Sequence, residues 1–114
     1  MIAIPAVVAT GLALVATKAA DCVTTAKYVV PAGAESNPLA RWLMDKLGPY
    51  RTVWLVFLVC CTWTIAATAA VVSVLLSDLS LWIRVVLSIG FILDGVTVAY
   101  IQWWAAEVNR SAGG

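Results

Sequence analysis

Three long stretches of the chain are dominated by apolar residues, and turn-forming and charged residues are concentrated between them. The stretches cover about residues 2–30, 52–77 and 79–107. A helix of about 20 apolar residues crosses the hydrocarbon core of a bilayer. The pattern therefore predicts an all-α fold, an integral membrane bundle of three transmembrane helices, with residues 1–114 forming a single domain.

A fourth, shorter helix is predicted between the first two stretches, over residues 38–47. Asn37 is a good N-cap and Pro38 suits the first helical position, while Gly48 and Pro49 end the segment. Its apolar residues, Trp42 among them, fall on one helical face, and a helix this short cannot span a bilayer. We expect an amphipathic helix lying in the membrane interface.

The amino-acid composition agrees with a membrane protein and argues against several kinds of binding and catalytic site. Hydrophobic residues make up 63% of the chain and charged residues 11%, against about a quarter charged in a soluble domain. The formal net charge of +1 argues against a nucleic-acid partner. The chain has no histidine, no glycine-rich phosphate loop and no serine with an evident base. We therefore predict no catalytic residue, no metal site and no cofactor: the chain is not expected to be an enzyme.

The distribution of basic residues predicts an orientation. Lys27, Arg41, Lys46 and Arg51 lie around the connection after the first stretch, whereas Arg84 alone lies near the connection between the second and third. By the positive-inside rule, that first connection and the C-terminus are cytoplasmic and the N-terminus is outside. We expect a prokaryotic inner membrane or a viral membrane.

Apart from Glu107 at the very end of the third stretch, two acidic residues lie within predicted spans, and their surroundings are alike. Asp21 and Asp94 both begin the pattern D-x-V-T-x-A, which places a threonine one helical turn after each acid. Acids inside a membrane usually face other helices. The pattern predicts a polar seam between the first and third helices that either holds a cation or proton or only fixes packing. Its members are Asp21, Thr24, Thr25, Asp94 and Thr97, with Lys18, Lys27 and Arg51 as basic partners.

The segment from Asp21 to Pro38 reads D-x-x-T-T, then G-x-E-x-N-P. It resembles a family of small multi-span membrane proteins of bacteria, archaea and phages whose function is unknown. The resemblance implies that the acid and threonine end the first helix and that Glu35, Asn37 and Pro38 form a turn opening the next one. A basic residue then begins the following span, and Arg51 occupies that place.

Three functions are consistent with this sequence. The first is self-association or partner binding within the bilayer, since Thr62, Ala66 and Ala70 form a row of small residues of the kind that packs helices closely. The second is a holin-like pore of phage origin. The third is a small ion- or proton-coupled subunit that uses Asp21 and Asp94. The expected partners are the lipid bilayer and a second copy or another membrane protein.

Overall fold

The structure is a computed structural model that describes residues 3–30 and 38–113. Helix α1 (Ala3–Thr24) continues into a π-helical turn (Thr25–Val29), and is followed by α2 (Pro38–Leu47), α3 (Pro49–Leu75) and α4 (Leu81–Gly113). Among the described residues, three segments are long and apolar enough to cross a membrane: Ala3–Val29, Pro49–Leu75 and Leu81–Ser111. The predicted all-α membrane bundle is confirmed.

The boundaries of the second and third spans differ from the predicted ones. Helix α3 begins at Pro49, three residues before the expected start, because proline is well suited to the first turn of a helix. Gly48 makes the break from α2 with a φ of 93°, a conformation that favours glycine. Helix α4 begins after Ser80, whose side chain accepts a hydrogen bond from the backbone N–H of Ile83 at 3.3 Å, and it continues past residue 107.

Helix α1 lies at the centre of the bundle. Helix α4 runs parallel to it, so that Thr10 meets Gly95 and Thr17 meets Gln102. Helix α3 runs antiparallel to it and brings Thr68 against Gly11. Both outer helices pack extensively on α1 but touch each other only sparsely. A groove is therefore left between α3 and α4.

Two glycines allow these close approaches. A Cβ atom added at Gly95 would lie 2.3 Å from Cγ2 of Thr10, and one at Gly11 would lie 2.5 Å from Oγ1 of Thr68. Gly90, also in α4, has nothing within 4 Å of the same position. In lipid, where apolar burial does not drive helices together, such small-residue contacts determine how tightly the helices pack.

Helix α2 has the predicted bounds and packs against α3. None of its residues is buried, and Leu39 and Trp42 are 65% and 56% exposed. Its apolar face is therefore available to lipid, as expected of a helix that lies in the interface.

The Gly95→Ala substitution should destabilise the bundle by about 1–3 kcal/mol, because the new methyl group must displace Thr10 from a tightly packed contact. Reversible unfolding in mixed detergent micelles measures the change. Gly90→Ala is the matched control and should leave stability unchanged or slightly raised, since it gains helix propensity without a clash. Equal effects of the two substitutions would contradict this packing.

Candidate functional site

A polar cluster joins the end of α1 to the end of α4. The side-chain nitrogen of Asn109 lies 3.1 Å from Oδ1 of Asp21, 3.1 Å from the Thr24 hydroxyl and 3.0 Å from the Thr25 hydroxyl. Lys18 approaches the other carboxylate oxygen of Asp21 at 3.2 Å. Both oxygens of this carboxylate are thus engaged, and the acid is satisfied within the chain.

The cluster also supports the π-helical turn. The backbone N–H of Val30 bonds to the carbonyl of Thr25, five residues earlier, where an α-helix would connect residues four apart. Just before this turn, the backbone carbonyl of Asp21 accepts hydrogen bonds from Thr24, Thr25 and Asn109. These side chains supply bonds to the backbone where the helix geometry changes, as is required inside a membrane.

A cleft of about 270 Å³ lies between this cluster and α2. Lys18 and Asp21 form part of its wall, and their side chains are only 17% and 21% exposed. The remaining wall comes from α2, α3 and α4, including Met44, Thr52 and Asn109. Lys18 and Asn109 already bind Asp21, so these polar groups are satisfied without a ligand. We therefore interpret this cleft as the junction where four helices meet.

The second polar place is the groove between α3 and α4, with a volume of about 490 Å³. Its walls are mainly apolar and aromatic, and Asp94 and Gln102 lie among them. The lining residues are Leu14, Val59, Cys60, Trp63, Thr64, Ala67, Phe91, Asp94, Gly95, Val98 and Gln102.

Asp94 differs from Asp21 in having no partner among the described residues. Its side chain is exposed, and in the described part of the chain it makes no hydrogen bond or ion pair. It lies in the groove with Thr64 and Ala67, residues near the middle of the 27-residue helix α3. A carboxylate at this depth costs a few kcal/mol unless it is paired or hydrated.

The structure does not bring the two D-x-V-T-x-A stretches together. Because α1 and α4 are parallel, Asp21 faces Asn109, and the contact between Thr17 and Gln102 lies between the two acids. Thr97 is exposed and donates to the carbonyl of Leu93, in its own helix, at 2.8 Å. The predicted seam is therefore divided into two separate polar sites, one at the ends of α1 and α4 and one in the groove between α3 and α4.

The other predicted residues are placed as follows. Pro38 begins α2, whereas Glu35 and Asn37 lie outside the described residues. Lys27 is exposed, with its amine 5.3 Å from the centre of the Tyr28 ring. Arg51 is exposed in the first turn of α3. Of the three predicted basic partners, Lys18 is the one that pairs with Asp21.

Sequence reasoning missed Gln102 and Asn109, which carry the polar contacts of α4 with the first helix among the described residues. The signal was present in their spacing. Asp94, Gln102 and Asn109 are 8 and 7 residues apart. At 3.6 residues per turn, these spacings keep the three side chains on one side of the helix, within about 80° of one another. A search for polar residues on the helical face of Asp94 would have found both.

Comparison with known proteins adds no relative from which a site could be transferred. No protein-family model matches the chain, and no match was found among curated proteins or solved structures.

Asn109→Ala should loosen the end of α1. It removes the amide that reaches Asp21 and both threonine hydroxyls, and loss of such a group costs about 1–3 kcal/mol when its partners are left unsatisfied. Hydrogen exchange should become faster in the turn Thr25–Val29. Ser111→Ala is the control, because Ser111 bonds to the carbonyl of Glu107 in its own helix. Unchanged exchange after Asn109→Ala would refute the role of this cluster.

Proposed function

We propose that this chain is a non-enzymatic membrane protein that acts as a symmetric pair, with the grooves of two copies facing each other. The observation that carries the proposal is the state of Asp94, an exposed carboxylate near mid-membrane with no partner in the described part of the chain. Polar groups in this environment face other helices rather than lipid tails. The groove around Asp94 is therefore the face that another helical surface covers.

A second copy of the chain suits this position because a symmetric dimer places equivalent residues at the same depth in the membrane. In a dimer whose two-fold axis runs along the membrane normal, every residue lies at the same depth in both copies. The groove of a partner then presents its own Asp94 and Gln102 at the depths where these residues lie in the first copy. Two facing grooves therefore enclose both acids away from lipid tails, which offer neither a donor nor an acceptor.

The rim of the groove also permits close approach. Thr62, Ala66 and Ala70 are exposed along α3, so the predicted small-residue row is left free within the single chain. Val59 and Trp63 border both this row and the groove, which makes the two surfaces continuous. Small residues at a helix surface allow backbones to pack closely, as association within lipid requires.

We infer the orientation from the two ends of the bundle. One end of the bundle is formed by the last part of α1 with its π-helical turn, by α2, and by the start of α3 and the end of α4. This end holds six of the seven basic residues: Lys18, Lys27, Arg41, Lys46, Arg51 and Arg110. The positive-inside rule makes this end cytoplasmic and the N-terminus external. The resemblance of the segment 21–38 to a prokaryotic and phage family supports an inner or viral membrane as the location.

Cysteine cross-linking tests the pairing. Cys60 lines the groove, whereas the adjacent Cys61 does not. A variant that keeps only Cys60 should give a covalent dimer with a short bismaleimide in lipid membranes, because symmetry brings the two Cys60 residues to the same depth across the grooves. The variant that keeps only Cys61 is the matched control and should cross-link much less.

Equal cross-linking of the two variants would show that the groove is not the interface. A monomeric mass in native lipid, with no cross-link from Cys60, would refute self-association itself.

A further inference from the structure

The chemistry of the groove is that of a small-molecule site. Its volume of about 490 Å³ lies within the range of about 300–1,000 Å³ typical of ligand pockets. Apolar side chains make up most of the wall, with few polar groups among them. This combination binds a hydrophobic body and orients it through a few polar contacts.

The groups that could contact a charged ligand favour a cation. Asp94 contributes a carboxylate with no partner among the described residues, and Trp63 and Phe91 contribute aromatic rings to the same wall. Trp63 is 77% exposed, so its ring is accessible from the groove or its rim. Aromatic faces attract cations and repel anions through the ring quadrupole, and this attraction is stronger away from water.

The small number of oxygen ligands in the wall of the groove indicates which type of cation would bind. Mg²⁺ and Ca²⁺ need about six or more oxygen ligands. Among the described residues, no group of three or more acidic, cysteine or histidine side chains is arranged to hold a metal ion. A weakly hydrated organic cation needs only an opposite charge, aromatic faces and apolar walls, all of which the groove offers.

We propose that the groove binds a lipophilic organic cation, such as a quaternary ammonium or phosphonium ion, with Asp94 as its counter-ion and Trp63 against its charged centre. The inference rests on the proposed dimer, because the second copy closes the open side of the groove. Facing grooves place two Asp94 carboxylates at one depth, and two like charges in this environment require a cation or a proton between them. The bound cation meets that requirement.

Equilibrium binding of labelled tetraphenylphosphonium to the protein in lipid nanodiscs tests the proposal. Tetraphenylborate has the same shape and the opposite charge, so it reports partitioning into lipid and apolar walls. We expect saturable binding of the phosphonium ion and none of the borate above empty nanodiscs.

Substitutions identify the groups responsible. Asp94→Asn should weaken phosphonium binding by about tenfold or more, because it removes the counter-charge in a low-dielectric site. Asp94→Glu keeps the charge and should retain binding, and Asp45→Asn, on α2, should have no effect. Trp63→Ala should weaken binding, whereas Trp82→Ala, outside the groove, should not.

The mass of each nanodisc-embedded variant separates the two proposals. Dimers that bind both ions equally, or that bind the phosphonium ion as well after Asp94→Asn, overturn the cation site and leave the pairing intact. A dimer that does not bind the phosphonium ion would likewise overturn the cation site and leave the pairing intact. A monomeric wild-type protein overturns the pairing and, with it, the enclosed cation site.

Discussion

The structure depends on one constraint: the bilayer core offers no hydrogen bonds, so every polar side chain in it needs a partner from protein, water or a ligand. At the end of α1 the chain meets this constraint by itself, through the contacts of Asp21 with Lys18 and Asn109. Near mid-membrane it does not, because Asp94 has no partner in the described part of the chain. The first site stabilises the fold, and the second is the basis of the proposal that two copies associate.

The packing of the helices explains why Asp21 is satisfied and Asp94 is left in an open groove. Close contacts of Gly11 with Thr68 and of Gly95 with Thr10 bind α3 and α4 to α1. Each outer helix is drawn toward the central one, so a gap remains where α3 and α4 would otherwise meet. A three-helix bundle with two tight pairs thus has one open side, and Asp94 lies on it.

Much of this architecture was predictable from sequence. The three apolar stretches, the short helix opened by Pro38 and the involvement of Asp21 with Thr24 and Thr25 all follow from local pattern and helical spacing. These features depend on residues near one another in the chain.

The rest depends on how helices are arranged, which periodicity does not encode. The likeness of the two D-x-V-T-x-A stretches suggested one seam, but the parallel packing of α1 and α4 aligns Thr10 with Gly95 and leaves Asp21 and Asp94 far apart along the axis. The role of Asn109 does not follow from local pattern, because its partners Asp21 and Thr24 lie more than 80 residues away in the chain. The groove exists only once three helices are packed, so no local pattern could predict its volume or lining.

Counting copies in lipid tests the central claim most directly. The chain is labelled with one fluorophore at its C-terminal end and reconstituted at low density into bilayers. The copies in each fluorescent spot are then counted by single-molecule photobleaching. The account predicts two bleaching steps for most spots at densities where chance overlap is rare, because the groove of one copy is covered by the other. A single step in nearly all spots would contradict it.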